Sequence, residues 1–97
     1  MNRKKLIYIF LKELEQGNKP KQSDYGLDLE QWGELALLIK NEGYASDIAI
    51  SSGDNRIAEV SLSLAKITMK GLEYLEENNA IAKTYKGFKE ARDWFKL

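Results

Sequence analysis

Two kinds of side chain in this sequence invite a chemical reading. The stretch DLEQWGELALLIKNEGY, from Asp28 to Tyr44, carries Asp28, Glu30, Glu34 and Glu42 against the single Lys40. A little further on, Asp47 and Glu59 flank the segment SSGDNR, which holds Asp54 together with Ser51 and Ser52. Clustered carboxylates can ligate a cation, but these three match no metal-loop spacing and lack the EF-hand pattern. A serine nucleophile needs a base, and the chain has no histidine. It has no cysteine either, which removes thiolate chemistry, a Cys/His zinc site and a disulfide framework. Neither GxxxxGK[ST] nor GxGxxG occurs. The residues therefore point to no catalytic, cofactor-binding or metal-ligating position. The expectation is a non-enzymatic protein without a cofactor.

What remains is recognition, and it depends on the elements that carry these groups. The first helix runs from about Arg3 to Gln16, with Asn2 as its cap, Leu6, Ile7, Phe10, Leu11 and Leu14 at helical spacing, and Gly17 placed to end it. The polar segment NKPKQSDYG holds the lone proline, Pro20, and reads as a connector with one helical turn near Gln22 to Tyr25. The next helix begins at Asp28. Gln31 completes a capping box, and Leu27 with Trp32 can form a hydrophobic staple. Leu29, Trp32, Leu35, Ala36 and Ile39 fall on one side, and Gly43 stops the helix.

The period then changes. Ile48 and Ile50 alternate, as do Val60, Leu62 and Leu64, with turn-like SSGDNR between them. This predicts a hairpin of Tyr44 to Ile50 and Ile57 to Leu62. Two strands alone are marginal, so the hairpin must pack on helices. Helix returns at ITMKGLEYLEENN, with Thr68 as cap, Leu72 and Leu75 facing inward, and Tyr74 or Met69 beside them. Asn78 and Asn79 break it. A last helix is expected from about Ile81 to Lys96. Trp32, Tyr85, Phe88, Trp94 and Phe95 read as core aromatics rather than a stacking platform for bases. A helical pair feeding a hairpin is the order of a winged helix. The expected fold is α+β and winged-helix-like, with a two-stranded antiparallel wing and two C-terminal helices, in one domain spanning residues 1–97.

In such a fold the Asp28 helix and the wing would meet DNA. Their charge opposes it. The whole chain is neutral, with 15 basic and 15 acidic residues. Residues 1–21 carry six basic and two acidic side chains, residues 28–42 one and four, and the hairpin only Arg56 against three acids. Phosphates repel such a surface, and Lys40 and Arg56 are the only cations there to position a backbone. The outward face of the Asp28 helix should show Glu30, Gly33, Glu34, Leu37 and Asn41. Leu37 is a large apolar residue on a polar face, and such a residue can centre a protein-contact patch. The candidate partner surface is Glu30, Glu34, Leu37, Asn41 and Arg56, facing an unidentified protein. DNA binding is the alternative. The basic ends, Arg3, Lys4 and Lys5 together with Lys83, Lys86, Lys89 and Arg92, read as solvated faces that could also meet the acidic wing side of a second copy in a homodimer.

Three segments carry a family resemblance: LIYIFLKELEQGNKP, LDLEQWGELALLIKNEGY and ITMKGLEYLEENNAIAKTYKGFKEARDWFK. Together they resemble the YjcQ-like family, small proteins of Gram-positive bacteria and their phages. The resemblance spans nearly the whole chain, is firmest over residues 35–44 and 67–96, and implies a winged-helix-like fold. It lends no catalytic residue and no settled function. Within it, ITMKGLEYL is similar to the LTxxGxxxL element that follows the wing in many winged-helix proteins. The start MNRKKLIYIF is basic then apolar, but Lys12 and Glu13 interrupt the run, and no segment approaches the roughly 20 apolar residues that span a bilayer. A cytoplasmic protein is expected.

Overall fold

The computed structural model describes residues 2–54 and 56–83, with side chains through Ile81. Helix α1 spans Arg3–Glu15, and the Asn2 side chain accepts from the Lys5 amide at 3.2 Å. Its burial is broader than one stripe. Leu6 through Leu11 are all buried, as are Glu13 and Leu14. A helix covered on so much of its circumference lies inside the fold rather than on its surface. It packs against two further helices and a short strand. Gly17, at φ 84°, ends it in a conformation that suits glycine.

The connector leads to α2, Gln22–Tyr25, the single turn expected, which closes at left-handed Gly26. Helix α3 follows as Leu29–Asn41, with both hydrogen bonds of the Asp28–Gln31 capping box formed. The fully buried Tyr25 and Phe10 rings sit 5.0 and 5.6 Å from the Trp32 ring, so one aromatic cluster ties α1, α2 and α3 together. Trp32 is thus a core residue. Leu29 is a correction to the expected inner face. It is 36% exposed, because it lies in the first turn, at the rim of a groove instead of over the core.

The hairpin differs from its expected form. The segment Tyr44 to Ile50 splits into two strands, β1 at Ala45–Ser46 and β2 at Ala49–Gly53. The break falls at Asp47, whose backbone is left-handed at φ 58°, a conformation aspartate tolerates. Strand β2 pairs antiparallel with β3, Arg56–Ser61, which forms the wing. Strand β1 instead pairs with β4, Lys66–Ile67, closing the base of the wing as a second small sheet. Ile48, at the break, and Leu62 are buried, but Leu64 is 72% exposed, in the turn between β3 and β4. A register shift at Ser51 and Ser52 leaves Ala58 as an extra residue on β3.

Helix α4 spans Met69–Glu77. The Thr68 hydroxyl accepts from the Gly71 amide at 3.1 Å and donates to the Gly43 carbonyl, so one side chain caps α4 and fastens it to the end of α3. Gly71 meets the Tyr44 backbone so closely that a β-carbon there would overlap the Tyr44 carbonyl. Leu75 is buried, Leu72 half-buried, and Tyr74 rather than the exposed Met69 packs beside them. The Tyr74 ring packs against that of Tyr44, tilted by 51° at 4.9 Å, and its hydroxyl donates to the Lys4 carbonyl at 3.2 Å. A 3-10 turn occupies Asn79–Lys83, where the last expected helix was to begin, and Ile81 packs against the core. The rest of that helix, with Tyr85, Phe88, Trp94 and Phe95, lies outside the described residues. The fold is α+β, with the helices leading into a two-stranded antiparallel hairpin. No helix among the described residues is long and apolar enough to cross a membrane.

Candidate functional site

Helix α3 positions most of the candidate surface. Its inner face is fixed by Trp32, Leu35, Ala36 and Ile39, all buried. That anchoring turns Glu30, Glu34, Leu37 and Asn41 outward, and all four are exposed. Their spacing of four, three and four residues puts them along one side of the helix. Arg56, at the start of β3, is also exposed.

Gly33 does not belong to this face. It is buried, and a β-carbon on it would overlap Cδ1 of Ile57. The wing folds down on α3 through this contact. Helical spacing alone could not reveal that, because the covering residue comes 24 positions later in the chain.

The structure gathers part of the candidate surface into a cleft. Glu34, Leu37 and Asn41 line it with Leu35, Leu38 and Arg3, around a volume of about 440 Å³. Leu37 is 42% exposed, and Leu38 beside it is half-buried. Glu30 and Arg56 are not part of the lining. Arg3 is the residue that sequence reasoning missed at this place. It stands at the first turn of α1, and the packing of α1 against α3 brings it to the cleft. The cleft thus has an apolar floor of leucines and carries one cation and one carboxylate. Arg3 and Glu34 do not close an ion pair across it, whereas Lys12 and Glu15 pair at 2.8 Å on α1.

A second groove lies between the α1–α2 connector and β3. Lys19, Pro20, Lys21 and Gln22 form one wall, β3 and its continuation the other, with Leu29 and Trp32 between them, around about 430 Å³. Among the described residues no group of three or more acidic, histidine or cysteine side chains is arranged to hold a metal ion. Asp47 and Asp54 occupy left-handed positions at the two ends of β2.

The sequence model of the family described as YjcQ protein matches residues 8–94. The chain is 38% identical over 97 residues to the uncharacterised protein YjcQ of Bacillus subtilis strain 168, covering 99% of this chain and all of that protein. It is also similar to the solution NMR structure of the Bacillus subtilis YjcQ protein, with a TM-score of 0.55 and 33% identity over 76% of this chain and 92% of that one. A match of this extent, agreeing in sequence and in fold, places the chain in the YjcQ family.

Proposed function

We propose that this protein is a non-catalytic interaction module that contacts a protein partner through the outer face of α3. One observation carries the reading: Leu37 stands exposed at an apolar cleft whose rim holds Glu34, Asn41 and Arg3. An exposed leucine alone means little. An exposed leucine at a leucine-floored cleft with a polar rim has the make-up of an interface core. The acidic side of α3 suits a basic or mixed protein surface, and the wing, pinned at Gly33, gives the helix a fixed frame. Such a module acts in the cytoplasm and needs no cofactor. The test is partner retention from an extract of bacteria carrying a YjcQ family protein. Leu37→Ala and Glu34→Lys should each lose the partner retained by the unaltered chain. Undiminished retention by both variants removes this face from the interface.

The fold itself favours a second reading. Helix α3 and an exposed Arg56 lie where a winged helix meets duplex DNA. Fold likeness is weak warrant for function, and Glu30 and Glu34 oppose phosphate contact on that face. Appreciable duplex binding with a steep salt slope would favour this regulator reading.

A further inference from the structure

We propose that the groove between the α1–α2 connector and β3 is a docking site for an extended acidic-ended peptide segment of a partner, taken up as an added strand. Ala58, Glu59 and Val60 all line this groove. Ala58 is the extra residue of the register shift, but Glu59 and Val60 pair regularly with Ser51 and Ile50, and successive side chains of a regular strand point to opposite faces, so a groove touched by both runs along the edge of the strand, not over a face. That edge carries the backbone groups β3 does not use for β2. Among the described residues β3 pairs with β2 alone. An unpaired edge is a template for another strand. On the opposite wall Lys21, the residue before α2, is extended at φ −121° and ψ 135°. Between the walls lie the half-open side chain of Leu29 and the small exposed part of the buried Trp32. The groove therefore combines hydrogen-bonding groups along one side with an apolar seat for alternate side chains.

Charge indicates which peptide fits. Lys19 and Lys21 stand on the connector wall. The Lys19 ammonium is held by the Ala65 carbonyl at 2.9 Å, which fixes a positive charge at the groove, and Lys21 is exposed. Both attract a carboxylate near the connector. Glu59 on the strand wall repels one from the middle of the edge. The extra residue at Ala58 limits regular pairing to the run that follows it, so the added strand is short and its apolar side chains supply much of the affinity. This site is separate from the Leu37 cleft, and neither proposal depends on the other.

The experiment is a nuclear magnetic resonance titration of the isotope-labelled full chain. The probe is a nine-residue peptide with valine alternating with threonine and aspartate at both ends. The amides of Ala58 to Val60 and the Trp32 indole should shift in a saturable manner, with Lys21→Glu weakening binding about fivefold. A peptide methylated on the backbone nitrogens of its pairing edge should not bind. The proposal is overturned if no saturable shift reaches β3 by about 1 mM peptide, a very weak affinity. It is equally overturned if the methylated peptide binds as well, or if the shifts centre on Leu37. Concentration-dependent shifts at Ala58 to Val60 without peptide would make a second copy the occupant, and that too would overturn it.

Discussion

Ile57 covers Gly33, and the cover is so close that a β-carbon at position 33 would occupy the space of Ile57 Cδ1. This contact lies within the packing of the wing against α3. It leaves the side of the helix that carries Glu34, Leu37 and Asn41 open.

Gly33→Ala should therefore destabilise the fold despite the better helix propensity of alanine. Overpacking costs about 1–3 kcal/mol, against roughly 1 kcal/mol gained in the helix. Urea unfolding of Gly33→Ala, Ile57→Ala and the double variant should show strong non-additivity, with the double variant more stable than the two single losses predict. Additive losses would mean the contact is not made.

Gly71→Ala should be worse. The obstacle there is the Tyr44 carbonyl, a backbone atom that cannot rotate aside, where Ile57 is a side chain. The loss should exceed that of Gly33→Ala by the same measurement. Thr68→Ala should cost about 0.5–2 kcal/mol as a lost cap, and Thr68→Ser should recover most of it. Recovery by valine instead, which matches threonine in shape without the hydroxyl, would remove the capping explanation.

Tyr74 gives the fold an alkaline limit. Burial, aided by the neighbouring Tyr44, raises its pKa above the ordinary tyrosine value. The folded protein holds the phenolic proton more tightly than the unfolded chain, whose tyrosine titrates near pH 10. This contribution to stability is complete below the unfolded pKa and is lost as pH rises through the folded one. At pH 8, Tyr74→Phe should be less stable by about 0.5–1.5 kcal/mol, for the lost hydrogen bond to Lys4. The difference should shrink above roughly pH 10. Parallel stability curves across that range would contradict the assignment.

Duplex DNA should bind poorly. Labelled random duplex followed by fluorescence anisotropy should show no binding in the roughly 10⁻⁴ to 10⁻⁶ M range typical of non-specific DNA-binding proteins at physiological salt. Binding in that range, tightening steeply as salt falls, would move the reading to a regulator.

Local signals in the sequence were read well because they act locally. Asn2, the Asp28–Gln31 box, Gly43 and Thr68 each place a helix end through contacts a few residues away. Helical spacing puts Gly33 on the outer face, whereas Ile57 covers it, because no helical period encodes a strand that folds back. The split between β1 and β2 depends on a left-handed Asp47, and aspartate there was the one available hint. Glu34, Leu37 and Asn41 were found together because they share a helix face. Arg3 was not, since only the packing of α1 on α3 brings it to them. Likewise, the second groove joins a connector to a strand edge about 40 residues away, a pairing that belongs to tertiary structure.

The most direct test of the interaction reading is site-specific photo-crosslinking from position 37, with exposed position 64 as control, in an extract of bacteria carrying a YjcQ family protein. The account predicts a discrete crosslinked partner from position 37, absent from position 64 and lost when Glu34→Lys is added. No crosslink from position 37, or the same products from both positions, would contradict it.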